Sequence, residues 1–308
     1  YNSCKNPNCP ECGSVDKEVW IHKQERFTLN VNYFHVVFTI PNELNTLCLI
    51  DPKFMYKALF DISAETIKEL SKDKKYLGAK IGFTSVLHTW GQNLSLHPHI
   101  HMIVPGGGID SNGKWKSSKK KFFLPVKVVS KLFKGKFLSH TKKNFDQRKI
   151  KDEEQFQSII NTCYSKDWVV YTKKPMKSAK HVVKYLGRYT HRIAISNARI
   201  KKYEDNKVTF SYKDYSDHNQ IKEMTLQDIE FFRRYMMHVL PSNFMKIRHY
   251  GFLGNRNKEE RIQAVRTATN TKDPEPLLID YEQIISDILK RDVSICIKCG
   301  QKRHHQLE

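Results

Sequence analysis

A nine-residue apolar run, residues 96–104 (LHPHIHMIV), carries two histidines at its centre. An apolar, partly β-branched run of this length predicts a strand, and alternate side chains of a strand project from one face. His99 and His101 therefore share a face of a sheet, and imidazole is the commonest metal ligand among protein side chains. His97 has the same parity, but its position before Pro98 makes it a weaker candidate. Two ordinary histidines on a half-exposed strand are the alternative.

A hairpin with the preceding apolar run (79–90) supplies a candidate third ligand. A turn centred between positions 94 and 95 places His88 opposite His101 and Trp90 opposite His99. Because cross-strand partners share a face, His88 is predicted to join the other two imidazoles. A register shift of one residue would remove it from that face.

Residues 178–192 (SAKHVVKYLGRYTHR) predict a helix that presents two phenols together. Ser178 is a suitable N-cap, and Tyr185 and Tyr189 are four residues apart, which puts them on one helical face. An adjacent basic stripe at the same spacing consists of Lys184, Arg188 and Arg192. Cations that stabilise phenolate and hold phosphate, beside a metal ion, suit nucleophilic attack on a phosphodiester. An amphipathic helix whose tyrosines cap a core is the alternative.

Three motifs in order carry a family resemblance: HTWGQ (88–92), HPHIH (97–101) and YLGRYTHR (185–192). Together they resemble the HUH single-strand endonucleases and, more narrowly, the two-tyrosine rolling-circle transposases of the ninety-one-type insertion sequences. The resemblance runs from residue 1 to about residue 255. It implies an α+β fold with an HUH-endonuclease core, in which helices flank a central antiparallel sheet.

The resemblance also implies the chemistry, which is metal-dependent nicking and rejoining of single-stranded DNA during rolling-circle transposition. Tyr185 or Tyr189 would attack, leaving a 5′-phosphotyrosine and a free 3′-OH, and two tyrosines permit two linked strand transfers. The expected DNA contacts are Lys184, Arg188, His191 and Arg192. The expected partner is single-stranded DNA, as hairpins at transposon ends. A plasmid replication initiator or relaxase of the same superfamily is the nearest alternative, and a non-catalytic zinc-containing DNA-binding regulator is the more distant one.

The predicted catalytic ion is Mg²⁺ or Mn²⁺, held by His99, His101 and a third residue. Imidazole ligands favour later transition metals, so supply rather than affinity would select Mg²⁺. The resembled family takes its third ligand from a neighbouring strand as Glu, Gln or His. Gln92 is therefore an alternative to His88.

The charge of the chain agrees with a polyanionic partner. Lys and Arg outnumber Asp and Glu 53 to 32 in 308 residues, for a net charge of +21 and a pI near 9.6. Such an excess is typical of nucleic-acid-binding proteins. No apolar run approaches the ~20 residues of a transmembrane helix, and no signal peptide is visible. We therefore expect no membrane partner and a cytoplasmic, nucleoid-associated protein.

Five of the seven cysteines cluster at the two ends of the chain as zinc-type arrays. In a chain expected to be cytosolic, Cys-x2-Cys spacing favours zinc over disulfides. The predicted zinc ligands are Cys4, Cys9, Cys12, Cys296 and Cys299. Each array is incomplete: the first is expected to extend upstream of Tyr1, and the second either extends past the C-terminus or is completed by His304 and His305.

These patterns divide the chain into three predicted parts: a truncated zinc-binding module (1–13), an HUH catalytic domain (14–254) and a helical extension ending in a partial zinc ribbon (255–308). Within the catalytic domain, period-two patterns predict a small antiparallel unit after the tyrosine helix. Its predicted strands are residues 193–197, 200–203, 207–212 and 220–225.

Overall fold

The computed structural model describes residues 13–119, 123–150, 152–176, 194–275 and 278–302, together with Val182 and Gly187. At its centre is a five-stranded sheet in which every neighbouring pair is antiparallel. In spatial order its strands are β10 (Ile247–Tyr250), β2 (Phe83–Trp90), β3 (Leu96–Pro105), β1 (Tyr33–Thr39) and β6 (Val170–Met176). The predicted α+β class, with helices flanking a central antiparallel sheet, is confirmed.

Helices and two smaller sheets surround this centre. The α-helices with described bounds are α1 (Gly13–Glu25), α2 (Asn45–Ile50), α3 (Pro52–Lys72), α4 (Val126–Asn144), α5 (Glu153–Ser165), α6 (Asp228–Met236), α7 (Lys258–Thr269) and α8 (Tyr281–Leu289). A ribbon pairs β4 (Gly107–Ile109) with β5 (Trp115–Ser117). A three-stranded antiparallel sheet joins β7 (Ile200–Glu204), β8 (Lys207–Asp214) and β9 (Gln220–Gln227). None of the described helices is long and apolar enough to cross a membrane.

Side-chain alternation divides the central sheet into two chemically different faces. On β1, Phe34, Val36 and Phe38 enter the main hydrophobic core. On β3 the residues facing that core are Ile100, Met102 and Val104. His99 and His101 alternate with them and therefore lie on the opposite face.

Helices α3, α4 and α5 close the first face. Helix α3 begins cleanly because the Asp51 side chain accepts from the Phe54 backbone N–H and Pro52 occupies the first turn. From α4, Phe133 packs edge-on against Phe38 of the sheet. Each fully buried aromatic of this kind stabilises the fold by roughly 1.5–3 kcal/mol. This face is thus a packed interior, which leaves the histidine face for chemistry.

A second apolar cluster covers part of the histidine face. It joins Tyr33 and Ile103 of the sheet to Ile262 and Val265 of α7, and it includes Val182. Val182 and Gly187 are both helical and buried, within the segment where the sequence predicts a helix. A Cβ on Gly187 would lie 2.2 Å from Cδ1 of Ile21. The close packing that this glycine permits is therefore against α1.

The three-stranded sheet holds the turn between β2 and β3 (residues 91–95). Leu94 of this turn is fully buried in a cluster with Phe210 of β8 and Phe231 of α6. Three side chains bond successive backbone carbonyls of the turn: Arg199 to Gln92, Arg234 to Asn93 and His238 to Leu94. Leu94 has φ +61°, a left-handed conformation that a branched side chain adopts only when its surroundings enforce it. The three-stranded sheet, the 3₁₀ turn before it and the α6 segment after it therefore fix the shape of the hairpin that carries the histidines.

The small antiparallel unit has three strands rather than the four predicted. The described part of the segment 193–197 is irregular and leads into a 3₁₀ turn at Asn197–Arg199. Ala194 and Ile195 are buried in the core of this unit. The apolar alternation at this point reflects burial without strand pairing, so the prediction of a strand here was wrong.

Candidate metal centre

Three histidines converge on the open face of the central sheet. One ring nitrogen from each of His88, His99 and His101 lies within 4.8 Å of the other two. His88 is buried, and His99 and His101 are half-buried. The structure thus brings together the two predicted ligands of β3 and the predicted third ligand of β2.

The register that produces this cluster differs from the predicted one. His88 lies opposite His99, and Val86 lies opposite His101. The predicted pairs, His88 with His101 and Trp90 with His99, were therefore wrong: the partner of His88 is two positions away from the predicted one, and that of Trp90, Leu96, is three positions away. The turn closes around residue 93, where the Gly91 N–H donates to the Ser95 carbonyl (2.8 Å), and the ladder is irregular between His88 and Trp90. Because the shift at His88 is an even number, this residue keeps the predicted face.

Hydrogen bonds behind the cluster orient two of its rings. The Nδ1–H of His99 donates to the His97 carbonyl oxygen at 2.6 Å. Nδ1 of His101 is 2.8 Å from Nε2 of His35, and the two rings stack with an interplanar angle of 18°. If Nδ1 carries the proton in both His99 and His101, each Nε2 has a lone pair directed at the centre of the cluster.

The third ring is oriented by stacking. The imidazole of His88 lies against the indole of Trp90, with ring centroids 4.5 Å apart and an interplanar angle of 19°. Trp90 in turn contacts His238 edge-on. Aromatic packing thus gives His88 the fixed orientation that hydrogen bonds give its partners.

The donor geometry fits a single divalent ion. Nε2 of His99 and Nε2 of His101 are 3.1 Å apart. Two nitrogen ligands held about 2.1 Å from one ion at a right angle would be separated by about 3.0 Å.

A cavity of about 420 Å³ opens in front of the histidines. Val37 and Thr39 of β1, directly opposite His101 and His99 in the ladder, line its floor. The turn after β2 and Tyr215 from the β8–β9 connection line its mouth. This volume is within the usual range for ligand sites, and the open mouth gives an extended chain access to the imidazoles.

Gln92, the alternative third ligand, and His97 also line the cavity. The amide nitrogen of Gln92 donates to the Tyr215 hydroxyl at 3.4 Å. Burial lowers the pKa of His97, and the backbone carbonyl of this residue orients His99.

The predicted nucleophiles lie outside the described residues. This holds for Tyr185 and Tyr189 and for the predicted DNA contacts Lys184, Arg188, His191 and Arg192. The N-terminal zinc candidates Cys4, Cys9 and Cys12 also lie outside them. Their roles stay predictions.

The C-terminal pair, Cys296 and Cys299, is described and sits on a tight turn. The Cys296 N–H donates to the Gln301 carbonyl, and the Gly300 N–H donates to the Cys296 carbonyl, both at 2.9 Å. Gly300 has φ +69°, a conformation that glycine adopts at no steric cost. A closed turn with two cysteines three residues apart is typical of a zinc knuckle.

Sequence reasoning missed two buried histidines that shape the site. His35 lies on β1 with the parity of Val37 and Thr39, so strand parity was the signal that placed it on the cluster face. His238 lies in the turn after α6 and bonds the Leu94 carbonyl through Nε2 at 3.1 Å. Burial lowers its pKa to about 4, so it is neutral near pH 7. No local pattern marked His238, because its partners lie more than 140 residues earlier in the chain.

The chain resembles known proteins over nearly its whole length. Residues 82–261 match a family profile described as "Putative transposase", and residues 1–40 match one described as "Transposase zinc-binding domain". A "Putative transposase y4qJ" of Sinorhizobium fredii is 39% identical over 315 residues, which covers 98% of this chain and 79% of that protein. The "Transposase for insertion sequence element IS801" of Pseudomonas savastanoi pv. phaseolicola is 28% identical over 307 residues, covering 98% and 74% respectively. No solved structure matches the chain.

Proposed function

The chain belongs to the transposase family of the IS91-type insertion sequences, and on that premise we propose that it nicks and rejoins single-stranded DNA through tyrosine nucleophiles. The observation that carries this proposal is the convergence of His88, His99 and His101 beneath an open cavity. Rolling-circle transposition is the biological role proposed for this chemistry.

His88, His99 and His101 would hold one Mg²⁺ or Mn²⁺ ion. When bound, the ion supplies Lewis-acid polarisation of a phosphoryl oxygen. The protein's own contribution is rigidity. His35, the His97 carbonyl and Trp90 hold the three rings, so little reorganisation is needed when DNA enters.

Tyr185 or Tyr189 is the proposed nucleophile. Its hydroxyl loses a proton, its oxygen bonds to phosphorus, and the bond from phosphorus to the 3′-oxygen breaks. The products are a 5′-phosphotyrosine and, once the leaving oxygen takes up a proton, a free 3′-OH. The reverse attack by a 3′-OH rejoins DNA without ATP, because the phosphotyrosine preserves the energy of the phosphodiester.

Lys184, Arg188, His191 and Arg192 are the proposed contacts to DNA phosphates beside the tyrosines. The net charge of +21 supports a long backbone contact. A single or extruded strand is the proposed substrate, with hairpins at transposon ends as its natural form, because the tyrosine must align with one scissile bond. Cys4, Cys9, Cys12, Cys296 and Cys299 are the proposed zinc ligands, and the zinc-binding match over residues 1–40 supports the first three.

A covalent-adduct assay tests this proposal. The protein is incubated with a 3′-labelled single-stranded oligonucleotide pool and Mn²⁺ and then denatured. A 5′-phosphotyrosine retains the 3′-labelled fragment, so labelled protein should survive denaturation. We expect the adduct to disappear in His99→Ala and in the Tyr185→Phe/Tyr189→Phe double variant, and the two single variants to show which tyrosine acts first.

His218→Ala is the matched histidine control, because this side chain is 94% exposed and does not line the cavity. It should form adduct at the wild-type rate. Salt-sensitive DNA binding with no adduct would reject the nuclease and favour the non-catalytic DNA-binding regulator.

A further inference from the structure

Tyr215 is an exposed aromatic residue that the fold places at the mouth of the histidine cavity. It belongs to the connection between β8 and β9, on a different sheet from the histidines, yet it lines the cavity with Trp90 and Gln92. The residue is 66% exposed. It is therefore accessible to a ligand that enters the cavity.

The position of Tyr215 is set by a chain of bonds. Gln92 donates to its hydroxyl at 3.4 Å, and the Gln92 carbonyl accepts from Arg199. Arg199 also donates through Nε to the Ser211 carbonyl of β8 at 2.7 Å. The strand that leads to Tyr215 and the turn beside the histidines are thus held by the same guanidinium.

The charges around the ring are compatible with a nucleic acid. Lys213 Nζ lies 5.6 Å from the centre of the Tyr215 ring. Asp214 and Asp217 are paired with Lys222 at 2.9 and 2.7 Å. Lys213 and Lys222 together match these two carboxylates in charge, so the connection does not present an acidic patch to an incoming phosphate.

We propose that Tyr215 is a base-stacking subsite that holds the nucleobase of a single DNA strand whose phosphate faces His88, His99 and His101. This rests on the proposed function and adds the way the strand is positioned. Phosphate contacts alone let a strand slide, whereas stacking of one base on a fixed ring limits which phosphate reaches the histidines. Stacking accepts any base, because every base has a π-face. The subsite would therefore set register along the strand without reading sequence.

Equilibrium binding to two probes of equal charge tests the subsite. The first probe is a short oligothymidylate, and the second is an abasic strand of the same length, both without divalent ions so that no cleavage is needed. The proteins are wild type, Tyr215→Ala, Tyr215→Phe and Tyr203→Ala. Tyr203 is the matched control, because it is 64% exposed on β7 of the same sheet and does not line the cavity.

We expect Tyr215→Ala to weaken oligothymidylate binding by about 5- to 150-fold and to leave the affinity for the abasic strand unchanged. Tyr215→Phe keeps the ring and loses only the 3.4 Å bond from Gln92, so it should retain most of the oligothymidylate affinity. Tyr203→Ala should bind both probes as wild type does. Equal weakening of both probes, or an oligothymidylate affinity matching that of Tyr203→Ala, would overturn the subsite.

This experiment is independent of catalysis. If wild-type protein forms no covalent adduct, the nuclease proposal fails, and the ratio of the two affinities still decides the role of Tyr215. If adduct forms while Tyr215→Ala leaves that ratio unchanged, the nuclease stands and the subsite is rejected.

Discussion

Replacing His35 should weaken metal binding although this residue is not a ligand in the proposed site. Its Nε2 lies 2.8 Å from Nδ1 of His101, and its side chain is 4% exposed. In the metal-bound tautomer, the Nδ1–H of His101 donates to His35 and leaves Nε2 for the ion. Removing that acceptor permits the other tautomer, in which Nε2 of His101 carries the proton and is lost as a ligand.

Two arguments set the size of the effect. Loss of a hydrogen bond behind a metal-bound imidazole typically lowers metal affinity by about 10- to 100-fold, which corresponds to about 1.4–2.7 kcal/mol. A buried donor left without its acceptor costs about 1–3 kcal/mol. Because the two ranges agree, we expect His35→Phe to raise the dissociation constant for Mn²⁺ by about 10- to 100-fold.

The measurement is calorimetric titration of Mn²⁺ into His35→Phe, His35→Gln and His249→Phe. Gln retains an acceptor near the position of Nε2 and should recover most of the affinity. His249 lies on the same sheet face and bonds Thr84 at 2.9 Å, so its replacement tests the general cost of placing Phe there. Wild-type Mn²⁺ affinity in folded His35→Phe would refute the argument, as would equal losses in His35→Phe and His249→Phe.

Three further predictions concern stability and charge. Gly251→Ala should destabilise the fold by about 3 kcal/mol or more, because φ is +60° and a Cβ would lie 1.8 Å from the Ile81 carbonyl oxygen. In α4, a Cβ on Gly135 meets nothing within 4 Å, so Gly135→Ala should stabilise the fold by about 1 kcal/mol. Urea unfolding measures both effects. Burial lowers the pKa of His238 from 6.5 to about 4, so as the pH falls this histidine is protonated in the unfolded protein before it is protonated in the folded one. The contribution of neutral His238 to the free energy of unfolding is therefore complete above pH 6.5 and falls progressively toward pH 4. Between pH 7.5 and 5, wild type should lose about 2 kcal/mol more than His238→Gln in denaturant titrations, and equal losses would contradict that assignment. The logarithm of the affinity for single-stranded DNA should fall linearly with the logarithm of the salt concentration, with a slope of about −0.7 for each phosphate neutralised. An affinity independent of salt would exclude a backbone contact by this +21 chain.

The candidate site was predictable wherever a short-range rule governed it. Strand parity placed His99 and His101 on one face and brought His88 to them. It did so although the predicted hairpin register was two positions out at His88, because an even error preserves the face. Parity would also have placed His35 there, had a buried histidine on β1 been considered as a support for a ligand.

Register was not predictable, because it depends on the turn rather than on the strands. The turn at residues 91–95 takes its shape from Arg199, Arg234 and His238, which bond its carbonyls from 107 to 144 residues away. Leu94 adopts its left-handed backbone because its side chain is buried in the core of the three-stranded sheet. Without those contacts, nothing in the sequence moves the centre of the turn from the predicted position between residues 94 and 95.

The same limit explains the strand wrongly predicted across residues 193–197. Ala194 and Ile195 have the apolar character of a strand, and the structure buries them in a small core without pairing them in a ladder. A period-two pattern indicates that one side of a segment is buried. Pairing in a ladder also requires a neighbouring strand whose backbone groups are not yet paired.

The sequence by itself determined the class of this protein and the identity of its chemical groups: an antiparallel sheet bearing paired imidazoles, a tyrosine segment lined with cations, terminal cysteine arrays and an excess of positive charge. These follow from backbone sterics and composition, which act over a few residues. Only the tertiary structure decided that His88 pairs with His99, that His35 supports His101 and that Tyr215 reaches the cavity from another sheet. Each of these depends on contacts between distant segments, and such contacts exist only once the core has packed.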